Sequence, residues 1–186
     1  MKNNLTLRAL TEGAIFTAAA VILNMLTLYK LPQDGEVCLG MLPVFIYCAR
    51  WGFKPGLLVS FCFGLLYMIL SGGAAWGWQS ILGDYLVAFT VLGVAGLFRG
   101  QKNGFFTGTV VGSLTRLLVH VVVGATVWAE YMPEVFYNMT MTSPWIYSLL
   151  YNGSFMLIDM VLCLLVGALL WKPLGKYIRG EDLKQA

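Results

Sequence analysis

The chain has 186 residues, 59% of them hydrophobic and only 11% charged, and a mean hydropathy of +0.75. Such a composition excludes an ordinary soluble domain, which could not cover itself with water-compatible surface, and makes lipid the main solvent. The formal charge of +3 does not argue for nucleic acid, because in a membrane protein Lys and Arg report orientation first.

A helix needs roughly 20 apolar residues to cross the hydrocarbon, and the first such run lies near residues 9 to 28, behind Lys2 and Arg8. It is long for the apolar part of a cleaved leader and lacks a convincing small-x-small cleavage site, so it is expected to be retained. Gly13, Ala14, Ala18 and Ala19 give it a small-residue stripe that lets another helix approach closely. The second run, 37 to 49, is short and contains Pro43, which predicts a tilted, kinked or re-entrant segment. Arg50 and Lys54 separate it from the third run, 55 to 71, after which Gly72-Gly73, Trp76 and Trp78 mark an interfacial turn. The fourth run spans 79 to 98, Arg99 and Lys102 follow, and the fifth spans 105 to 128. Glu130 and Glu134 precede the sixth run at 144 to 171, and Lys172, Lys176, Arg179 and Lys184 follow it.

Ten of the twelve basic residues therefore fall on one side of the runs. The positive-inside rule makes that side, with both termini, cytoplasmic. The expected architecture is all-α: one integral membrane bundle of six transmembrane helices over 1–186, with no separate soluble domain and no internal repeat. Cys38, Cys48, Cys62 and Cys163 lie in or beside apolar runs without metal-ligand spacing, and read as small hydrophobes rather than a metal site.

Polar groups inside spans are costly, so each needs a reason. At 1.5 Å per residue, Asp84 lies roughly 7 Å and His120 roughly 12 Å in from the outer ends of their runs, and Asn152 matches that depth. Tyr85, Trp128, Tyr147 and Tyr151 surround that level. A carboxylate, an imidazole, a carboxamide and several aromatic faces suit a flat, polar heterocycle, neutral or cationic, because aromatic rings attract cations through their quadrupole. Arg116 stands one turn below His120, on a stripe extended by Gly112 and Gly124. It shares mid-membrane depth with Asp159, and the two are expected to form a structural ion pair. The chain carries no phosphate loop, no Gly-x-Ser-x-Gly elbow, no His-Glu-x2-His and no paired intramembrane aspartates, so neither ATP hydrolysis nor a recognised intramembrane hydrolase has support. The remaining classes are a binding or transport subunit, a structural membrane subunit, and, with Asp84 and His120 as acid and base, an enzyme acting on a lipid or isoprenoid.

Five stretches carry a resemblance: LTEGAIFTAAAVI at 10–22, GMLPVFIYCARWGFKPGLLVS at 40–60, GDYLVAFTVLGVAGLFRG at 83–100, HVVVGATVWAEY at 120–131 and YSLLYNG at 147–153. Together they resemble the thiamine-specific substrate-binding subunits, or S components, of energy-coupling factor vitamin transporters, over most of the chain. The resemblance implies a six-helix fold in a prokaryotic plasma membrane and a high-affinity thiamine site near the outer face. It also implies association with a transmembrane coupling subunit and two ATPases, and no cofactor. Carried across by motif, the ligand-binding positions are Asp84 with Tyr85 beside it, His120, Gly124 and Trp128 on the fifth helix, and Tyr147 and Asn152 on the sixth. Ala14 and Ala18 fall on the family's docking surface for the coupling subunit. The connection LPQDGEVCLG at 31–40 departs from relatives that place a tryptophan and a glutamate there, which leaves Asp34 and Glu36 as candidate contacts. The same scaffold with another heterocycle, such as hydroxymethylpyrimidine or another vitamin, is the near alternative.

Overall fold

The computed structural model describes residues 2–183, without the side chains of residues 2–5, Asp34, Ala74 and Trp76. Lys184 and the side chains of Lys2, Asp34 and Trp76, all read above from the sequence, thus lie outside the description. Six helices follow in order: α1 Lys2–Met25, α2 Met41–Trp51, α3 Phe53–Ser71, α4 Trp78–Phe98, α5 Gly104–Thr126 and α6 Pro144–Ile178. A hairpin of β1 (Tyr29–Lys30) and β2 (Glu36–Val37) joins α1 to α2, and one of β3 (Val135–Phe136) and β4 (Met139–Thr140) joins α5 to α6. Five helices are long and apolar enough to cross a membrane. Their outward faces carry Ile15, Ile22, Ile69, Leu118, Leu165 and Leu169 exposed, as a lipid-facing surface requires.

The exception is α2, whose 11 residues rise only about 16 Å. Pro43 does not kink it. The proline sits in the first turn, where the missing N–H has no intrahelical partner to lose. Irregular chain at 38–40 precedes the helix, and such backbone is tolerable at membrane depth only where it is buried or faces a cavity. There the Cys38 N–H donates to Asp159 Oδ1 at 2.8 Å. Met41 through Arg50 are all buried, and α2 packs against all five other helices. Phe45, Phe63, Phe89, Leu92 and Met41 fill the core around it. At its end Gly52 takes φ +86°, a left-handed conformation that a β-carbon disfavours, and reverses the chain directly into α3.

At the end of the bundle where both described termini meet, Arg50 has no exposed side-chain surface and uses all five of its N–H donors. Nε and Nη2 bind Glu12 at 2.6 and 2.9 Å. Nη1 and Nη2 bind Asp182 at 2.6 and 2.8 Å, and Nη1 also donates to the Tyr177 carbonyl at 2.8 Å. The guanidinium lies 3.7 Å from the centre of the Tyr177 ring. Arg8 closes the cluster on Glu12 at 2.9 Å and Asp182 at 2.5 Å, and Trp51 Nε1 donates to Glu12 at 2.7 Å. These bonds tie α1, α2 and the C-terminal turn Glu181–Leu183 into one body.

Candidate functional site

Opposite that end, α1, α3, α4, α5, α6 and the β1–β2 hairpin enclose a cavity of about 380 Å³, within the size range of small-molecule sites. The helix that brings Asp84 to it is not a regular α-helix. Residues Ile81–Val87 form a π-helical segment and Val91–Phe98 a 3-10 segment, and wide π turns recur at functional sites.

Asp84 is the hub of the polar wall. Its Oδ2 accepts from Trp128 Nε1 at 2.8 Å and from Ser80 Oγ at 3.1 Å, and its Oδ1 lies 3.2 Å from His120 Nδ1. On the other side of the imidazole, Arg116 Nε donates to His120 Nε2 at 3.4 Å. An Nε2 that accepts leaves the proton on Nδ1, so one tautomer serves both partners and His120 donates to Asp84. Asn152 Nδ2 donates to the Ser148 carbonyl at 2.9 Å, Ser148 Oγ at 3.1 Å and the His120 carbonyl at 3.4 Å. Gly124 lets α6 come close: a β-carbon there would run into Ser148 Oγ. Aromatic rings supply the other walls. Tyr85, Phe89 and Tyr67 stack in series, with Tyr85 and Phe89 only 11° from parallel, and Tyr147 and Tyr151 stand 5.7 Å apart.

The β1–β2 hairpin covers this space. Tyr147 OH donates to Gln33 Oε1 and Tyr151 OH to the Pro32 carbonyl, while the Gly35 N–H donates back to Tyr151 OH at 2.8 Å. Gln33 Nε2 reaches the Tyr131 carbonyl at 3.0 Å. Glu36, at the base of the hairpin, accepts from Tyr67 OH at 2.5 Å and from Asn24 Nδ2 at 3.4 Å, with Lys30 Nζ at 3.6 Å.

All seven residues singled out as ligand-binding, Asp84, Tyr85, His120, Gly124, Trp128, Tyr147 and Asn152, line this one cavity, and so does Glu36. Ala14 and Ala18 do not; both are exposed on the outer face of α1. The expected ion pair between Arg116 and Asp159 is not formed. Both side chains line the cavity, but Asp159 is engaged by the Cys38 N–H, and the Arg116 guanidinium lies over the Phe89 ring at 4.1 Å and turns to His120. Irregular backbone beside α2 created a demand that helix depth alone did not reveal. Sequence reasoning passed over Ser80, Asn24, Tyr67 and Ser148. Asn24 carried a usable signal, a carboxamide inside an apolar run, which is what selected Asn152.

A family model described as thiamine transporter protein matches residues 10–178. The thiamine transporter ThiT of Bacillus subtilis (strain 168) is 32% identical over 97% of this chain and 99% of its own length. The thiamine transporter ThiT of Lacticaseibacillus paracasei is 29% identical over 89% of this chain and 88% of its own. A solved structure described as native-SAD phasing for ThiT from Listeria monocytogenes superimposes with a TM-score of 0.81 at 24% identity, covering 93% of this chain and 98% of that one, and so shares the fold. The relatives are named as transporters and not as enzymes. Their bacterial origin and the five spanning helices make this a multi-pass plasma-membrane protein of a prokaryote. Matched by the family model over most of its length, the chain belongs to the thiamine transporter protein family.

Proposed function

We propose that this chain is the thiamine-binding subunit of an uptake transporter, and that the ligand occupies the cavity behind the β1–β2 hairpin. The observation that carries this reading is Asp84, a carboxylate held by three donors against an aromatic-walled space. Asp84 and Glu36 place carboxylates among the aromatic rings of this cavity. A cationic thiazolium suits both, since aromatic faces favour a cation. Asn152 Oδ1 makes no hydrogen bond to any described residue, and Asp84, with three donors, keeps a lone pair to spare. Together they suit the exocyclic amino group of an aminopyrimidine.

Binding alone moves no ligand uphill, and this chain carries no nucleotide-binding motif. The driving step is assigned to a separate transmembrane coupling subunit with two ATPases, docked on the exposed Ala14 and Ala18 stripe of α1. In this reading the basic end of the bundle, with both termini, faces the cytoplasm, as the distribution of Lys and Arg supports. The test is titration of detergent-purified protein with thiamine, followed by quenching of tryptophan fluorescence, since Trp128 lines the cavity. Saturable quenching that disappears in Asp84→Ala is the expected result. A response to another heterocycle but not to thiamine would keep the site and replace the ligand.

A further inference from the structure

The inner end of the cavity holds two charged groups that the aminopyrimidine and thiazolium contacts leave unused. Arg116 stands one turn below His120 on α5, and Asp159 two turns below Asn152 on α6. Their residues are only 8% and 2% exposed, yet both line the cavity. Among the described residues, neither Nη of Arg116 makes a hydrogen bond and Asp159 Oδ2 accepts none; the two side chains form no ion pair with each other. The Phe89 ring beneath the guanidinium holds its plane without satisfying its N–H donors. Unlike Ser60 Oγ and Ser113 Oγ, which are sealed in the core without a partner among the described residues, these free polar atoms open onto the cavity, so a ligand group that enters it can meet both.

An anion at this place would face Asp159, and a second cation would face Arg116. A hydroxyl group meets both demands, since its oxygen accepts from a guanidinium while its proton goes to a carboxylate. We propose that Arg116 and Asp159 form an inner subsite for a ligand hydroxyl, Arg116 Nη donating to the oxygen and Asp159 Oδ2 accepting the proton. The proposal rests on the thiamine reading, in which the primary hydroxyl at the end of the thiazolium side chain is the group received. It assigns to these two residues the recognition of a hydroxylated end, distinct from ring recognition at Asp84 and Asn152.

The experiment compares thiamine with its analogue in which that hydroxyl is replaced by hydrogen, titrated into wild type, Arg116→Gln and Asp159→Asn. Asp159→Asn keeps an oxygen for the Cys38 N–H, and binding of the analogue reports that each variant is folded. The expected result is that wild type prefers thiamine over the analogue by about tenfold or more, while both variants still bind the analogue saturably and prefer thiamine over it by less than about twofold. A wild type that binds the two ligands equally, or variants that keep the full preference, would overturn the subsite while leaving the thiamine reading intact. Equal weakening of both ligands in the variants would also overturn it and assign the pair a structural role. Wild type that binds neither ligand would overturn the thiamine reading, and this subsite with it.

Discussion

Two buried arginines show how differently this fold treats the same side chain. Arg50 meets two carboxylates and a carbonyl with all five donors and stacks on Tyr177. Arg116, also buried but bordering the cavity, spends one donor on His120 and turns the rest toward that space. A saturated cluster leaves nothing for a ligand to gain and belongs to the architecture, whereas an unsaturated one keeps binding capacity in reserve. The same contrast separates Glu12, surrounded by Arg8, Arg50, Trp51 and Tyr177, from Asp84, whose three donors aim it at an open space.

The largest effect should come from breaking the saturated cluster. Arg50→Leu leaves Glu12 and Asp182 without their main partner and is expected to cost about 3–5 kcal/mol, read as a fall of many degrees in the melting temperature in detergent. The thiamine affinity of the protein that remains folded should stay near wild type; a selective loss of affinity would show that the two ends are not separable. Asp84→Ala is the reciprocal experiment. Loss of a charge-assisted acceptor of about 2–3 kcal/mol predicts affinity down by roughly a hundredfold, with little change in melting of the ligand-free protein, and calorimetric titration would detect an effect as small as threefold. Gly124→Val forces α5 away from Ser148 and should cost about 1–3 kcal/mol as overpacking, in both stability and affinity; an effect on neither would mean that α6 yields freely. Trp128→Phe keeps a ring but removes the N–H from Asp84 Oδ2, and about 1 kcal/mol for one hydrogen bond predicts an affinity about fivefold weaker. Arg116→Gln closes the series, with a melting temperature within a few degrees of wild type. A collapse like that of Arg50→Leu would erase the distinction between the two arginines.

The positions of the spans were legible because burial in lipid imposes long apolar runs that basic residues interrupt. The sequence runs agree with α3, α4, α5 and the start of α6 to within two residues, while α1 begins nearer the terminus and α6 continues to Ile178. The short second run correctly announced an unusual segment, but Pro43 suggested the wrong cause, since a first-turn proline costs a helix nothing. For the site, a shared depth was enough to group Asp84, His120 and Asn152, because helical rise converts position in a run into height. Depth fixes only one coordinate, however, and says nothing of rotation about each axis. Arg116 and Asp159 accordingly share a height and a cavity without forming the expected pair.

The sequence by itself determined that the chain lives in lipid, where its apolar runs lie, and which polar residues stand at a common depth, because those properties follow from composition and linear spacing. Tertiary structure alone decided which of them bond. The partnership of Arg50 with Glu12 and Asp182 joins residues far apart in the chain, the hairpin at 29–37 reaches the tyrosines of α6, and the π turn alters the path of the helix that presents Asp84. Each is set by how helices rotate and approach one another, and no periodicity in the chain encodes the partner at the far end of a hydrogen bond.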